Sequence, residues 1–289
     1  MERIREALQR ARKERSDNGL SFINNPKTIA PFIKKVAHTS VDTIVYTQTP
    51  TIEVSRAFLR EQRVISGFEQ STFTDAYKLL CTQILQKLRD NKWNSLAITS
   101  PGEHEGKTLT AINLAISLAS EIDQTVLLVD ADLRHPSVHK YFGLSPRQGL
   151  GDYLISDSPL ENLLIHPGIG HLVILPGGKS LSNSSEMLGS TKMMELVQEL
   201  KKRYPSRIVL FDLPPLLSAA DALAFSPFVD ATLLVVEEGK TQREDVSRAA
   251  ELLSSTHLIG AVLNKSLEFT VPVEKSAGWL SKLFKRKGH

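Results

Sequence analysis

A single cysteine, Cys81, occurs in 289 residues, so no disulfide framework can form within the chain and a reducing compartment is the expected setting. No apolar run approaches the roughly 18 residues that cross a bilayer. The start, Met1-Glu2-Arg3-Ile4-Arg5-Glu6, is charged and has no apolar stretch of a secretory signal. These absences point to the cytoplasm. Net charge is only +3, too little to argue for nucleic acid as a partner. No Gly-x-Ser-x-Gly elbow, internal repeat or low-complexity tract occurs. His104, His135, His139, His166, His171 and His257 show no metal spacing with cysteine. His135 and His139 are four apart, but Pro136 intervenes. What remains is a 41% apolar share, enough to bury a sizeable core in one medium domain with extensions, or in two small ones.

The most informative stretch runs from Leu96 to Leu118. An apolar strand, Leu96-Ala97-Ile98-Thr99, leads through a polar loop to Gly106-Lys107-Thr108 at the start of a helix. Such a loop binds polyphosphate by turning backbone N–H groups inward, and the helix adds the positive end of its dipole. Gly106 permits close approach, Lys107 supplies charge to the terminal phosphates, and Thr108 offers a hydroxyl to Mg²⁺. Gly102, Glu105 and Leu109 complete the expected nucleotide contacts. The spacing departs from G-x-x-x-x-G-K-[ST]: Pro101 stands in the first glycine position, with Gly102 behind it. Glu103 and His104 are poor neighbours for an anion, so both are expected to point out of the cradle.

Residues 1–15 read as a helix with Ile4, Leu8 and Ala11 on one face and arginines around it, stopped by Ser16-Asp17-Asn18-Gly19. It is either a solvated helix or a docking arm. Pro26, Pro31 and Pro50 interrupt residues 20–70, which read as a partly ordered linker with one or two short strands at most around Val41 to Val54. A helix is expected over 72–90, capped by Thr72. Strands follow at 95–99, 125–130, 171–175, 207–212, 231–236 and 258–263. Helices are expected at 107–120, 186–203, 219–226 and 242–254, with Asn183 and Glu186 as a capping box for the second. Apolar runs such as Val126-Leu127-Leu128-Val129 suit a parallel sheet covered on both faces. The expected fold is a doubly wound α/β domain at 71–268, with ligands at the C-terminal strand ends. The extension 1–70 precedes it, and a basic amphipathic tail, 269–289, follows.

Two apolar strands deliver carboxylates to that edge: Asp130-Ala131-Asp132 after one, Asp212 after the other. Mg²⁺ takes one or two carboxylates with phosphate, hydroxyl and water oxygens. Asp212 and Thr108 are the expected metal holders. Of Asp130 and Asp132, one completes the metal shell and the other orients or deprotonates an attacking hydroxyl. Asn264-Lys265 follows the last strand. The Asn264 amide is a candidate for reading an adenine edge, although a solvated loop explains the pair as well.

Together, Ser100-Pro101-Gly102, Glu105-Gly106-Lys107-Thr108, Val129-Asp130-Ala131-Asp132-Leu133-Arg134-His135-Pro136 and Val209-Leu210-Phe211-Asp212-Leu213-Pro214-Pro215 resemble the bacterial tyrosine autokinases of capsular and exopolysaccharide loci. These are the CpsD/CapB-type relatives of the MinD/ParA P-loop ATPases. The likeness covers roughly residues 72–266, and Asp-x-Asp-x-Arg-x-Pro is its most specific part. The partitioning ATPases carry a signature lysine where this chain has Gly102. The resemblance implies ATP and Mg²⁺ as ligands, phosphoryl transfer to protein tyrosine, and catalytic roles for Lys107, Asp130 and Asp132. It also implies a membrane-embedded chain-length regulator as activating partner, and assembly into a homo-oligomer.

Two departures bear on that expectation. Family members end in a tyrosine cluster, whereas the tyrosines here are Tyr46, Tyr77, Tyr141, Tyr153 and Tyr204. An acceptor is therefore expected internally or on a partner. The family's Glu-x-x-Arg-x-x-Arg assembly motif reads Asp75, Lys78 and Cys81. The tail, Trp279 to Lys287, resembles a short interfacial anchor for the inner face of the plasma membrane. A nucleotide-driven switch without kinase activity is the alternative, and a binding-only subunit the third.

Overall fold

A computed structural model of the chain describes residues 49–65, 71–156, 158–203 and 207–266. The helix expected over 1–15 and the tail 269–289 lie outside these residues. Six parallel strands form one sheet in the order β3-β2-β4-β1-β5-β6. They are β1 (Ser95–Thr99), β2 (Thr125–Asp130), β3 (Leu172–Leu175), β4 (Arg207–Asp212), β5 (Ala231–Glu237) and β6 (Leu258–Asn264). All match the expected positions to within a residue: β1 to β5 are largely buried apolar runs, and the edge strand β6 is apolar although only partly buried. The helices are α1 (Arg56–Glu61), α2 (Thr72–Asn91), α3 (Lys107–Ala119), α4 (Val138–Tyr141), α5 (Leu150–Ser156), α6 (Ser184–Leu188), α7 (Thr191–Arg203), α8 (Asp221–Phe225) and α9 (Arg243–Leu252).

Alternate strand residues point to opposite faces, and each face has its own core. Leu96, Ile98, Val126, Leu128 and Leu210 pack with Ile84 and Leu88 of α2 and Ile112 and Ile116 of α3. Ala97, Leu127, Val129, Val209 and Phe211 pack with Leu196 and Leu200 of α7, Phe225 of α8 and Val246 of α9. The sheet is thus doubly wound, and its C-terminal rim stays clear for a site.

Several local expectations are corrected. Ser71, not Thr72, caps α2: its hydroxyl accepts from the Thr74 N–H at 3.1 Å. The helix expected over 186–203 is two helices, because Gly189 ends α6 and Ser190 opens α7 by accepting from the Met193 N–H at 3.2 Å. Asn183 precedes α6 but its side chain makes no capping bond. The hydroxyls of Ser184 and Ser185 instead reach Asp221. The short helices α4 and α5 were not expected, since neither spans enough turns to show a period.

Within the partly ordered linker expected over residues 20–70, residues 49–65 pack on the core. Pro50 and Ile52 pair with His166, through His166 N–H to Pro50 O at 3.0 Å and Ile52 N–H to His166 O at 2.8 Å. Leu59 and Val64 are buried in the core. Asn113 of α3, fully buried, accepts from the Ile65 N–H at 2.8 Å and donates to Arg63 O at 3.2 Å. Short apolar pieces at Leu59, Val64 and Ile65 carry no periodicity to reveal this strap. Asn113→Ala leaves two backbone groups without partners, and is expected to cost about 2–3 kcal/mol in urea unfolding. An unchanged midpoint would show that the strap does not depend on Asn113.

Candidate functional site

The loop after β1 is positioned from below by its neighbours. Thr99 donates its hydroxyl to Pro214 O at 2.7 Å, and the Leu216 N–H donates to Ser100 O at 2.9 Å. Glu103 and His104 are exposed, while Glu105 is buried. Gly106 has φ +92°, and a Cβ there would stand 2.0 Å from the Asn264 amide nitrogen, so only glycine fits. The first turn of α3 begins at Lys107, and the N–H groups of Lys107, Thr108 and Leu109 fall among those a helix start leaves without intrahelical partners. Leu109 contributes no more than its main chain, since its side chain packs towards the core.

Sheet order brings the carboxylates together. β4 lies between β2 and β1, and Asp130 and Asp212 are register partners. Lys107 Nζ lies 2.8 Å from Asp132 Oδ2, 3.8 Å from Asp212 Oδ1 and 3.3 Å from Thr108 Oγ1. Asp130 and Asp212 are fully buried, and Asp132 nearly so. Asp132 Oδ1 accepts from the His135 N–H at 3.0 Å. Asp130 Oδ2 accepts from Ser137 and Val138 N–H at 2.9 and 3.0 Å, which caps α4 and leaves Oδ1 unpartnered. Neither oxygen of Asp212 makes a hydrogen bond.

Burial pushes the Asp130 and Asp212 carboxyls well above the ordinary range. The neighbouring Asp212 charge adds to the rise at Asp130, and Lys107 moderates it at both. Burial alone would lower Lys107, but Asp212 and Asp132 outweigh it and hold the ammonium above its usual value. One cation thus faces three carboxylates, three of whose oxygens lack a hydrogen bond. Hard, unpartnered oxygen donors beside the Thr108 hydroxyl fit Mg²⁺. Among the described residues no group of three His, Cys, Asp or Glu makes a metal cage of its own.

Two further clusters escaped the sequence reading. Arg134 Nε donates to both oxygens of Asp221 at 3.0 and 3.2 Å, and Nη2 to Ser185 Oγ at 3.2 Å. Asp221, which also accepts from Ser184 and Ser185, stays below the ordinary range because these hydrogen bonds and Arg134 outweigh its burial. This bracket ties the segment after Asp132 to α6 and α8. The second cluster lies outside the loop. The Glu105 carboxylate accepts from Thr241 Oγ1 at 2.6 Å, and Asn264 Nδ2 donates to Glu105 O at 2.9 Å. Thr241 sits in a turn with no motif to mark it.

A match to the AAA domain family covers residues 102–269. Tyrosine-protein kinase YwqD of Bacillus subtilis is 36% identical over 213 residues, which are 73% of this chain and 89% of that protein. The chain belongs to the bacterial tyrosine-protein kinases. The solved kinase domain of Escherichia coli tyrosine kinase ETK is 28% identical, with a TM-score of 0.65 over 79% of this kinase and 92% of that domain. The succinoglycan biosynthesis transport protein ExoP of Rhizobium meliloti is 31% identical over 223 residues, 74% of this kinase but 28% of ExoP. The fold is therefore that of a P-loop NTPase, as the resemblance implied. No helix among the kinase's described residues is long and apolar enough to cross a membrane. In the kinase's assembly-motif positions, Asp75 and Lys78 pair with each other at 3.5 Å on the exposed face of α2, whereas Cys81 is buried. Tyr77 is buried, Tyr153 lies beneath Lys192 Nζ at 5.1 Å, and Tyr141 is half-buried at the end of α4. Tyr46 and Tyr204 fall outside the described residues.

Proposed function

We propose that this kinase transfers the γ-phosphoryl group of Mg²⁺-bound ATP to a tyrosine hydroxyl of a protein in a polysaccharide export system. The observation that supports it best is the convergence of Lys107 with Asp130, Asp132 and Asp212 at one rim, where Asp130 Oδ1 and both Asp212 oxygens lack a hydrogen bond. Loop N–H groups and Lys107 hold the phosphates. Asp212, Thr108 and Asp130 Oδ1 would hold Mg²⁺, which when bound offsets the charge of the phosphate oxygens. Asp132, released from Lys107 as the ammonium turns to phosphate, orients the acceptor hydroxyl and takes its proton. The phenol oxygen then bonds to phosphorus as the bond from the γ-phosphorus to the β,γ-bridging oxygen breaks, and ADP leaves. The relatives' names favour this over a switch without phosphotransfer.

Residues 71–268 form the catalytic domain in this reading, flanked by the extension 1–70 and the tail 269–289. The activating partner is a membrane-embedded chain-length regulator. The kinase works in the cytoplasm, in peripheral contact with the membrane, and as a homo-oligomer.

Phosphotyrosine mass spectrometry after incubation with ATP, Mg²⁺ and such a regulator tests the reading. Modified tyrosine on either protein is expected, and ATP turnover without any phosphotyrosine would return the switch. Asp132→Asn removes the proton acceptor while keeping the shape. It should lower kcat about 10²-fold, with nucleotide affinity changed far less. Retained kcat would move the base role elsewhere.

A further inference from the structure

A carboxylate inside a phosphate-binding loop is at odds with the loop's purpose, yet Glu105 sits there, directly before Gly106-Lys107. Its side chain is buried and turned away from the cradle, against the β5–α9 turn. Thr241 Oγ1 donates to it at 2.6 Å, and a Cβ on Gly102 would lie 3.3 Å from the same oxygen. The backbone is gripped from the same side. Asn264 Nδ2 donates to Glu105 O at 2.9 Å and Lys265 Nζ to His104 O at 2.7 Å, while Lys240 Nζ reaches Glu103 O at 3.5 Å. The two lysines share Glu237, at 2.9 Å from Lys265 and 3.3 Å from Lys240. Glu237 and Asn264 are register partners at the ends of β5 and β6.

A trans peptide unit points its C=O and the next residue's N–H in opposite directions. Holding the carbonyls of Glu103, His104 and Glu105 from outside therefore aims the N–H groups of His104, Glu105 and Gly106 inward. Those are the donors an anion in the cradle needs. We propose that Thr241, Asn264 and Lys265 are positioning residues for the nucleotide phosphates, acting through Glu105 and the loop carbonyls as a latch from the β5 and β6 ends. Glu105 is the handle of this latch, and its side chain is not a ligand of the nucleotide. Asn264 is engaged with the loop in the same way, which ties any contact it makes with a base to the shape of the phosphate cradle. The proposal rests on the reading that this rim binds ATP.

The test is titration of the full chain with a fluorescent ATP analogue, alongside steady-state kinetics in ATP. Thr241→Val keeps the shape and removes the donor. It is expected to weaken analogue binding and raise KM for ATP roughly tenfold, the loss of one buried hydrogen bond to a charged group. The kcat at saturating ATP is expected to fall no more than about twofold, because such a latch acts on ground-state and transition-state phosphates alike. Thr241→Ser restores the donor and should restore affinity. Amide hydrogen exchange at residues 104–106 should quicken in Thr241→Val, with the amides of β1 and β4 unchanged. Lys265→Met, at an exposed position, should raise KM about two- to threefold and serves if the Thr241 variants fail to fold. Wild-type affinity in Thr241→Val, or Thr241→Ser as weak as Thr241→Val, overturns the latch while leaving ATP binding intact. Failure of the unaltered chain to bind the analogue removes the underlying reading, and the latch with it.

Discussion

Lys107→Ala is expected to abolish transfer of labelled γ-phosphate to tyrosine, a loss of about 10³-fold or more in kcat. The ammonium is nearly buried, 2.8 Å from Asp132 and 3.8 Å from Asp212. In a site of low dielectric its charge acts on the transferring phosphoryl oxygens with little screening. The change has a second consequence in the free protein. Without the ammonium, Asp130, Asp132 and Asp212 are left as three close carboxylates, and Asp130 and Asp212, which Lys107 holds down, take up protons more readily. The variant should still fold, because protonation relieves the repulsion, but it should lose thermal stability faster than the parent as pH rises. Circular dichroism establishes the fold, and phosphotyrosine labelling reads the activity. Labelling within about tenfold of the parent would place the phosphate site elsewhere.

Asp212→Asn should give the opposite pairing, lost activity with gained stability. Burial holds the Asp212 and Asp130 carboxyls above their ordinary values in the folded protein. Unfolded, both return to about 3.9. The folded state therefore binds protons that the unfolded chain has released. Stability from this source is complete below the unfolded value and is lost as pH climbs through the folded values, about 6 at Asp212 and about 8 at Asp130. Without added metal, the melting temperature should fall between about pH 5 and pH 8. Mg²⁺ should raise it more at pH 8 than at pH 5, since protons and metal compete for the same oxygens. Asp212→Asn removes one buried charge. It should flatten this slope and, in chelator at pH 8, stabilise by about 1–2 kcal/mol, or roughly 2–8 °C. Activity should drop about 10²-fold or more through weakened metal binding. A melting temperature that is level across this range in the unaltered protein would mean that the carboxylates are not burdened as described. Asp221 and Asp230 act in the other direction. Hydrogen bonds from Ser184 and Lys201 are among those that hold them below the ordinary range, so their contribution is lost as pH falls below about 4.

The strands and the phosphate loop were legible because their signals are local: an unbroken apolar run, then a polar turn with Gly106-Lys107-Thr108. Sheet order was not, since no local pattern says that β4 inserts between β2 and β1. That insertion alone makes Asp130 and Asp212 neighbours. The division of labour within the Asp130 carboxylate was hidden as well. One oxygen holds the start of α4, and only the other remains for a ligand. Long-range partners such as Thr241 with Glu105, 136 residues apart, leave no trace in spacing. The break between α6 and α7 was in view, with glycine and serine adjacent, but the apolar period runs on across it and suggested one helix.

The strap carries a consequence for how this chain can vary over generations. Asn113 lies on the helix that opens at the phosphate site, yet both ends of its amide are committed to the backbone at Arg63 and Ile65, 50 and 48 residues earlier. Those partners are main-chain atoms, so Asn113 fixes the path of the chain there rather than any side chain. An insertion or deletion between α1 and α2 that shifts this path would leave Asn113 stranded in the interior. The helix at the phosphate site is thus braced by the course of the main chain at Arg63 and Ile65.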